Sequence, residues 1–395
     1  MEAPIDRSAS SDSVKKISIL YVVPNSGVGG VETFLKSTWK HHDPQKFSPS
    51  YAVFRPGPLT EWLRQNKAPV YQCPFIPRLR RPDHYIKTVL WLKTVAEKTG
   101  ADLVHSSMAY AALFAGPATS LTKVHHIWFQ HGPVGGWMDQ LAATLPHKLL
   151  LVNSQHTLKE QQRVERTISV FIPSGRQVKV LALGSDDPRD TLYLADVEQM
   201  KKTLQISEDD FVVGMLCRLQ PWKGVHLLIE ALKHIKKTKP TLKIVAVIWG
   251  EPLDTPYAQQ LIAESESCGL NVKWPGFTAQ SSTALANLHV LVNASTTPEP
   301  FGLTLTEAMA LGKPVIAPKS GGPLDIVKAP DTGLLFEPGD AHDLSEKLVL
   351  LASSPERRKE MGHQAQLRAQ KLFSAARMMN DLENLCLETL AQGKK

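Results

Sequence analysis

Cysteine is scarce and unpaired in this sequence. Cys73, Cys217, Cys268 and Cys386 form no CxxC pair and show no metal-ligand spacing to histidine. That excludes a disulfide scaffold and a cysteine-based zinc site, and it points to free thiols in a reducing compartment. Long apolar runs are missing too. The most apolar stretch past the start, AYAALFAGPATSL, is short and broken by Gly116-Pro117, and the opening MEAPIDRSASSDSVKK is polar without an apolar core. Neither a membrane span nor a signal peptide is expected. Zinc-finger spacing, an aromatic RNA-binding signature and a helix-turn-helix pattern are all lacking, so nucleic acid is not an expected partner despite the formal net charge of +7. No DxD-type or His/Cys cluster stands at a strand end, and no metal site is expected.

What is there is the balance of a globular enzyme, 43% hydrophobic and 21% charged, in 395 residues. That length exceeds what one core supports and predicts two domains. Short apolar runs recur between longer periodic stretches: ISILYVV (17–23), YAVF (51–54), DLVH (102–105), HIWFQ (126–130), KLLLVN (148–153) and QVKVLAL (177–183). After a charged stretch the rhythm restarts with FVVGML (211–216), KIVAVIWG (243–250), VKW (272–274), HVLVNA (289–294), PVIA (314–317) and GLLF (333–336). These read as buried parallel strands alternating with helices. In VHLLIEALKHIKK, Leu228, Ala231, Leu232 and Ile235 recur at spacings of three and four, which makes one apolar helix face.

The expected organisation is a disordered tail (1–15), a first Rossmann-like βαβ domain (16–187), a linker holding one helix (188–208), a second βαβ domain (209–373) and a C-terminal helix within 374–395. In open parallel sheets ligands bind at the carboxyl ends of strands, so the loops there should carry the chemistry.

Three such loops stand out. In PNSGVGGVETFLKS, glycines 27, 29 and 30 let the backbone approach a ligand, and the next helix would aim its free N–H groups at an anion. Glu32 stands where a dinucleotide fingerprint needs glycine, which argues against hydride transfer; a plain tight turn fits this loop equally. In VVGMLCRLQPWKGVHLL, Arg218 and Lys223 follow a strand and precede a helix, where a guanidinium and an ammonium together offset a diphosphate. Two solvated surface charges are the alternative. In TTPEPFGLTLTEAMALGKPVIAP, Glu299 lies beyond the strand ending at Ala294 and Glu307 lies in the following helix. Backbone N–H groups around Gly302 to Thr304 suit a phosphate, and the two carboxylates suit hydroxyl groups on either side of it.

Glu299 and Glu307, spaced by seven within EPFGLTLTEAMALGKPVIA, resemble the paired glutamates of retaining GT-B glycosyltransferases of family 4. SGVGGVE is similar to that family's glycine loop, NSQHTLK to its serine-containing segment, RLQPWKG to its diphosphate-binding arginine and lysine, SGGPLDIV to its GG-x-x-E segment, and TGLLFEPGD to its closing strand and turn. LALGSD takes the place of a P-N-G-V-D-like segment without the Pro-Asn. His289, Ala294 and Asp325 stand where the family often has Asp, Pro and Glu.

The resemblance implies an α/β GT-B fold: two Rossmann-like βαβ domains facing across a cleft, with a C-terminal helix crossing back to the N-domain. It implies catalytic roles for His131 in FQHGPVGGW, which would touch the transferred sugar, for Glu299 at the sugar hydroxyls, and for Arg218 and Lys223 at the diphosphate. Glu307 would take the ribose. Phe301, Gly302, Leu303 and Thr304 would support the phosphates, with Gly29 and Gly30 in the glycine loop and Gly276 and Phe277, in WPGFT, at the base. Taken alone, a histidine beside Gly-Pro such as His131 is more often a loop hydrogen-bonder.

The implied reaction is retaining, metal-independent transfer of a hexosyl group from a nucleotide-diphosphate sugar to a hydroxyl acceptor (a sugar, glycolipid or sugar phosphate), with no cofactor. UDP, GDP and ADP donors stay open, as do two rival readings: a nucleotide-sugar epimerase or hydrolase, and a degenerate transferase serving as a binding subunit. The expected location is the cytoplasm, including the inner face of the membrane. RLRRPDHYIKTVLWLKTVAEK sets Arg78, Arg80 and Arg81 before a helix carrying Trp91 and raises a contact with anionic membrane. Apolar residues occupy much of that helix's circumference, so a core helix with a solvated basic loop is the preferred reading.

Overall fold

The computed structural model describes residues 15–25, 29–169 and 177–392. Residues 1–14 of the expected tail and Gly27 of the glycine loop lie outside them. Two compact units result: unit 1 runs up to Gly184 and resumes at Ala375, and unit 2 is Ser185–Ser374.

Unit 1 alternates β1 (Ile17–Val23), α1 (Gly30–His41), β2 (Phe47–Val53), α2 (Pro58–Gln65), β3 (Val70–Gln72), α3 (Pro82–Lys98) and β4 (Leu103–Ser107). It continues with α4 (Met108–Ser120), β5 (His125–Gln130), α5 (Trp137–Thr144), β6 (Leu149–Val152), α6 (Gln155–Ser169) and β7 (Gln177–Val180). The strands pair in parallel in the order β3-β2-β1-β4-β5-β6-β7. Ile19 to Val23 are fully buried, which is why β1 is apolar on successive residues and sits centrally, covered on both faces. β3 was not legible in the sequence: it is a three-residue edge strand whose residues stay partly exposed.

Unit 2 comprises α7 (Leu194–Thr203), β8 (Phe211–Leu216), α8 (Val225–Thr238), β9 (Ile244–Trp249), α9 (Pro256–Ser267), β10 (Val272–Gly276) and α10 (Ser281–Ala286). Then follow β11 (Val290–Val292), α11 (Leu303–Ala310), β12 (Val315–Pro318), α12 (Pro323–Ile326), β13 (Gly333–Phe336), α13 (Ala341–Ala352) and α14 (Pro355–Leu372). Its six-stranded parallel sheet has the order β10-β9-β8-β11-β12-β13. The predicted face of α8 is buried, Leu228, Ala231, Leu232 and Ile235 together. In both sheets the direction of winding reverses once, between β1 and β4 and between β8 and β11, and strand ends diverge at such points to leave a crevice.

The segment read as a linker packs on unit 2. Asn287 donates to the Val197 carbonyl at 3.2 Å, and the Thr191 and Ser282 hydroxyls meet at 3.0 Å. Charge along its outer side hid this, because a helix needs only part of its surface to dock. The final helix α15 (Ala375–Gln392) belongs to unit 1, where it buries Met378, Met379, Leu382 and Cys386. Arg377 donates to the Ala182 carbonyl at 2.7 Å, and Glu383 accepts from the Asp43 N–H at 2.8 Å and meets His42 Nδ1 at 2.9 Å.

Candidate functional site

The reversal in unit 2 brings two loops together that are far apart in the chain. The loop after β8 runs from Cys217 to Lys223 and is held against the end of β9, with Cys217 N–H bonded to Trp249 O at 3.1 Å and Leu219 N–H to Glu251 O at 2.9 Å. The loop after β11 crosses beside it, where the Thr296 N–H donates to the Trp222 carbonyl at 2.8 Å. Their approach depends on Gly224, whose φ is +70°. A Cβ there would lie 1.8 Å from the Ala294 carbonyl oxygen.

Lys223 and Glu299 meet as a result. Lys223 Nζ donates to Glu299 Oε1 at 2.6 Å, and the same oxygen accepts from the Ser295 hydroxyl. Glu299 is buried, and the pair lines a small cavity with Cys217, Asn293, Ser295 and Thr304. Burying a carboxylate is costly unless it is paired and hydrogen-bonded, and here it is both. The Glu299 backbone is fixed from behind: Gly322 donates to its carbonyl at 2.7 Å, and a Cβ on Gly321 or Gly322 would come within 2.7 Å of the backbone of Glu299 or Phe301. This is the physical work of the two glycines in SGGPLDIV. Arg218 is exposed on the same loop as Lys223. Burial pushes the Cys217 thiol up to about 12, so it stays protonated and is no nucleophile.

Gly302 opens α11 with no side-chain cap hydrogen bond and no acidic side chain in the first turn, so no side chain offsets the positive end of the helix dipole there. Residues 196–368 match the model of the family Glycosyl transferases group 1. Over that stretch unit 2 is similar to the glycosyl transferases group 1.

Similar proteins span different shares of the chain. A D-inositol 3-phosphate glycosyltransferase of Segniliparus rotundus is 25% identical, over 86% of this chain and 76% of that protein. A trehalose synthase of Pyrococcus horikoshii is 27% identical, over 48% of this chain, which spans only 46% of that relative's length. Among solved structures, HepE of Anabaena in complex with UDP aligns with a TM-score of 0.80 at 23% identity, over 94% of this chain and all of that one. A glycosyltransferase from Rickettsia africae aligns at 0.82 and 20%, over 95% and 99%. The two parallel-sheet units and these likenesses show the GT-B fold.

Within unit 2, Glu307 lies on α11 one turn beyond Leu303, and burial pushes its carboxyl up to about 7. Phe301 turns its ring inward against Phe373, at 5.9 Å between centroids, so only its backbone faces the loop. Gly276, at φ +80°, ends β10 opposite Trp249, and Phe277 follows it with its ring exposed. Among the described residues no three His, Cys, Asp or Glu side chains converge as metal ligands.

In unit 1 the corresponding strand ends carry His131, just past β5, and Gly29 and Gly30 at the start of α1. Its ring lies 3.8 Å from Phe129 and 5.0 Å from Phe34 between centroids, and its carbonyl accepts from Asn153 Nδ2 at 2.9 Å. Burial lowers the imidazole to about 3, so it is neutral at physiological pH. Sequence reasoning missed His105, on β4, which stacks on Phe34 and whose pKa is lowered first by burial and then by His131. Neither ring nitrogen of His105 or of His131, nor the Ser107 hydroxyl, has a hydrogen-bond partner among the described residues. It also missed Ser295 and Asn293, whose only signal was their place between β11 and Glu299.

Proposed function

We propose that the protein is a retaining glycosyltransferase that moves a hexosyl group from a nucleotide-diphosphate sugar to a hydroxyl acceptor without a metal ion. The observation that carries this is the Lys223–Glu299 pair at the strand reversal of unit 2, beside the start of α11. Departure of a nucleoside diphosphate builds negative charge on the phosphate oxygens while the sugar becomes cation-like. Lys223, Arg218 and the N–H groups at Leu303 and Thr304 are the groups assigned to that charge. Glu299 is assigned to the sugar hydroxyls, where it orients the ring and forms no covalent bond. Arg218 is exposed and able to close on a phosphate as it arrives.

The base falls to the backbone at Gly276 and to Phe277, and the ribose to Glu307. His131 and the glycine loop of unit 1 are assigned to the transferred sugar and its acceptor, as neutral hydrogen-bonding groups. The UDP and UDP-glucose bound by HepE put uridine donors first among those to be tried, ahead of GDP- and ADP-sugars. Relatives named as a D-inositol 3-phosphate glycosyltransferase and a capsular polysaccharide biosynthesis glycosyltransferase support trying phosphorylated polyols and glycans early among acceptors. A thermal-shift screen of nucleotide sugars, followed by product analysis with and without acceptors, tests the proposal. One donor class is expected to raise Tm and to be consumed only with an acceptor, in chelator as in buffer. Equal consumption of donor alone would instead establish a hydrolase or epimerase.

Glu307 adds a pH signature. Ribose hydroxyls donate and an ionised carboxylate accepts, so donor binding favours the ionised form. Affinity is expected to rise about tenfold from roughly pH 6 to pH 8 and then level off, and Glu307→Gln is expected to flatten the curve, as read by titration calorimetry. Donor-free stability takes the opposite sign. The folded carboxyl titrates at about 7 against an ordinary 4.5, so its contribution falls as pH rises through that interval.

A further inference from the structure

We propose that Trp222 is a positioning residue for Lys223, its indole face holding the ammonium in place for the arriving diphosphate. Lys223 Nζ lies 4.2 Å from the centroid of the Trp222 ring and gives a hydrogen bond to Glu299 Oε1 at 2.6 Å. An ammonium is attracted by the electron-rich face of an indole, more strongly where water is kept away, and the lysine side chain is only 18% exposed. Ring and carboxylate together fix the charge before any ligand is present. The identity of the anion rests on the proposed function; the packing of lysine on indole stands without it.

The ring serves as a stop because it is itself fixed. It sits in a tight turn, Pro221–Lys223, whose first φ is set by proline and which Gly224 ends. The Lys223 N–H donates to the Gln220 carbonyl at 2.9 Å, and the Gly224 N–H to the Pro221 carbonyl at 3.0 Å. The indole N–H donates to Gln220 Oε1 at 2.7 Å. On the other side, the Trp222 carbonyl accepts from the Thr296 N–H at 2.8 Å and from the Thr296 hydroxyl at 3.3 Å. Trp222 is thus tied to the loop after β8 through its ring nitrogen and to the loop after β11 through its backbone. A lysine stem free in solvent samples many rotamers, and ordering it as a ligand binds weakens the binding. A stem already ordered avoids that loss. Arg218, on the same loop, is exposed, so the loop offers one cation set in advance and one that closes.

The test has one arm without ligand and one with it. In protein carrying 13C at the lysine ε carbons, the ε protons of Lys223, identified by their loss in Lys223→Ala, are expected upfield of the main group of lysine signals, because they lie over an aromatic face. They are expected to stay upfield in Trp222→Phe, to join the main group in Trp222→Leu, and to move part of the way in Gln220→Leu, which frees the ring. In calorimetry with UDP, GDP or ADP, whichever raises Tm, affinity is expected to fall about tenfold in Trp222→Leu and less than about twofold in Trp222→Phe. Added to Lys223→Ala, the Trp222→Leu change is expected to cost less than about twofold more, since the indole then has nothing to hold. Unchanged Tm and circular dichroism show that the variants fold, and Trp222→Met serves where Trp222→Leu does not. A Lys223 signal within the main group, undiminished affinity in Trp222→Leu, or a Trp222→Phe variant as weak as Trp222→Leu each overturns the proposal. So does a tenfold further loss on the Lys223→Ala background, which would mean that the indole touches the nucleotide itself. A wild type that binds none of the three nucleotides overturns the proposed function and this role with it, and is told apart because there is no wild-type affinity to lose.

Discussion

Replacing Lys223 by alanine is expected to weaken nucleoside-diphosphate binding about 100-fold, roughly 3 kcal/mol, whereas Glu299→Ala is expected to leave that binding intact or tighten it a few-fold. Both variants are expected to lose at least about 1,000-fold in transfer. The asymmetry follows from their pairing. In the donor-free protein Lys223 spends its charge on Glu299, 2.6 Å away, and Glu299 is held in addition by Ser295. Taking away the lysine leaves a buried carboxylate uncompensated beside the place assigned to the two phosphates, so attraction is lost and repulsion is added. Taking away the glutamate frees the ammonium for the diphosphate and removes a like charge. What goes with it is the proposed grip on the sugar, which on that assignment is needed for reaction and not for holding the nucleotide. Calorimetry with the nucleoside diphosphate, set beside turnover with the whole donor, separates the two. Parallel losses of nucleotide affinity in both variants would show that Glu299 serves the nucleotide and not the sugar, and the assignment of roles would fall.

Gly224→Ala is expected to be the most damaging single methyl group in unit 2, lowering stability by about 3 kcal/mol or more and abolishing donor binding. Two costs coincide there. The left-handed φ of +70° disfavours any side chain, and the new carbon would sit 1.8 Å from the Ala294 carbonyl oxygen, a backbone atom just past β11 that cannot rotate aside. Relief requires the loops after β8 and β11 to part, and the Thr296–Trp222 hydrogen bond and the Lys223–Glu299 pair then part with them. Gly339→Ala is the control. Its φ of +83° imposes the same conformational penalty, but a Cβ there meets nothing within 4 Å, so roughly 1 kcal/mol is expected. Denaturant titration of both variants and a donor thermal shift check the pair; equal effects at the two glycines would remove close packing as the cause.

The residues at the site were legible for different reasons. Glu299 and Glu307 announced themselves because a carboxylate at a strand end and another in the next helix have no role in building a sheet. Arg218 and Lys223 stood out only by position, after an apolar run. Gly321 and Gly322 were recognisable as a motif, but the close approach of the Glu299 loop that demands them was not. Phe301 could be named within the segment, yet the direction of its ring, inward on Phe373, depends on α14 and is silent in local sequence. His105 gave no signal, since a histidine inside an apolar strand reads as any core residue until its neighbours Phe34 and His131 are known.

By itself the sequence determined the alternation of apolar strands and amphipathic helices, its restart in a second half, and the chemistry available in the loops, because these depend on spacing along the chain and on side-chain type. Only the tertiary structure decided which loops meet. Lys223 and Glu299 are 76 residues apart, and they touch because β8 pairs with β11 on the side away from β9. Strand order is set by how two sheet faces are covered by helices, a balance over the whole unit that no local pattern encodes. The same balance placed α15 with the first unit, packed α7 on the second, and left Trp137 and Leu141 facing outward.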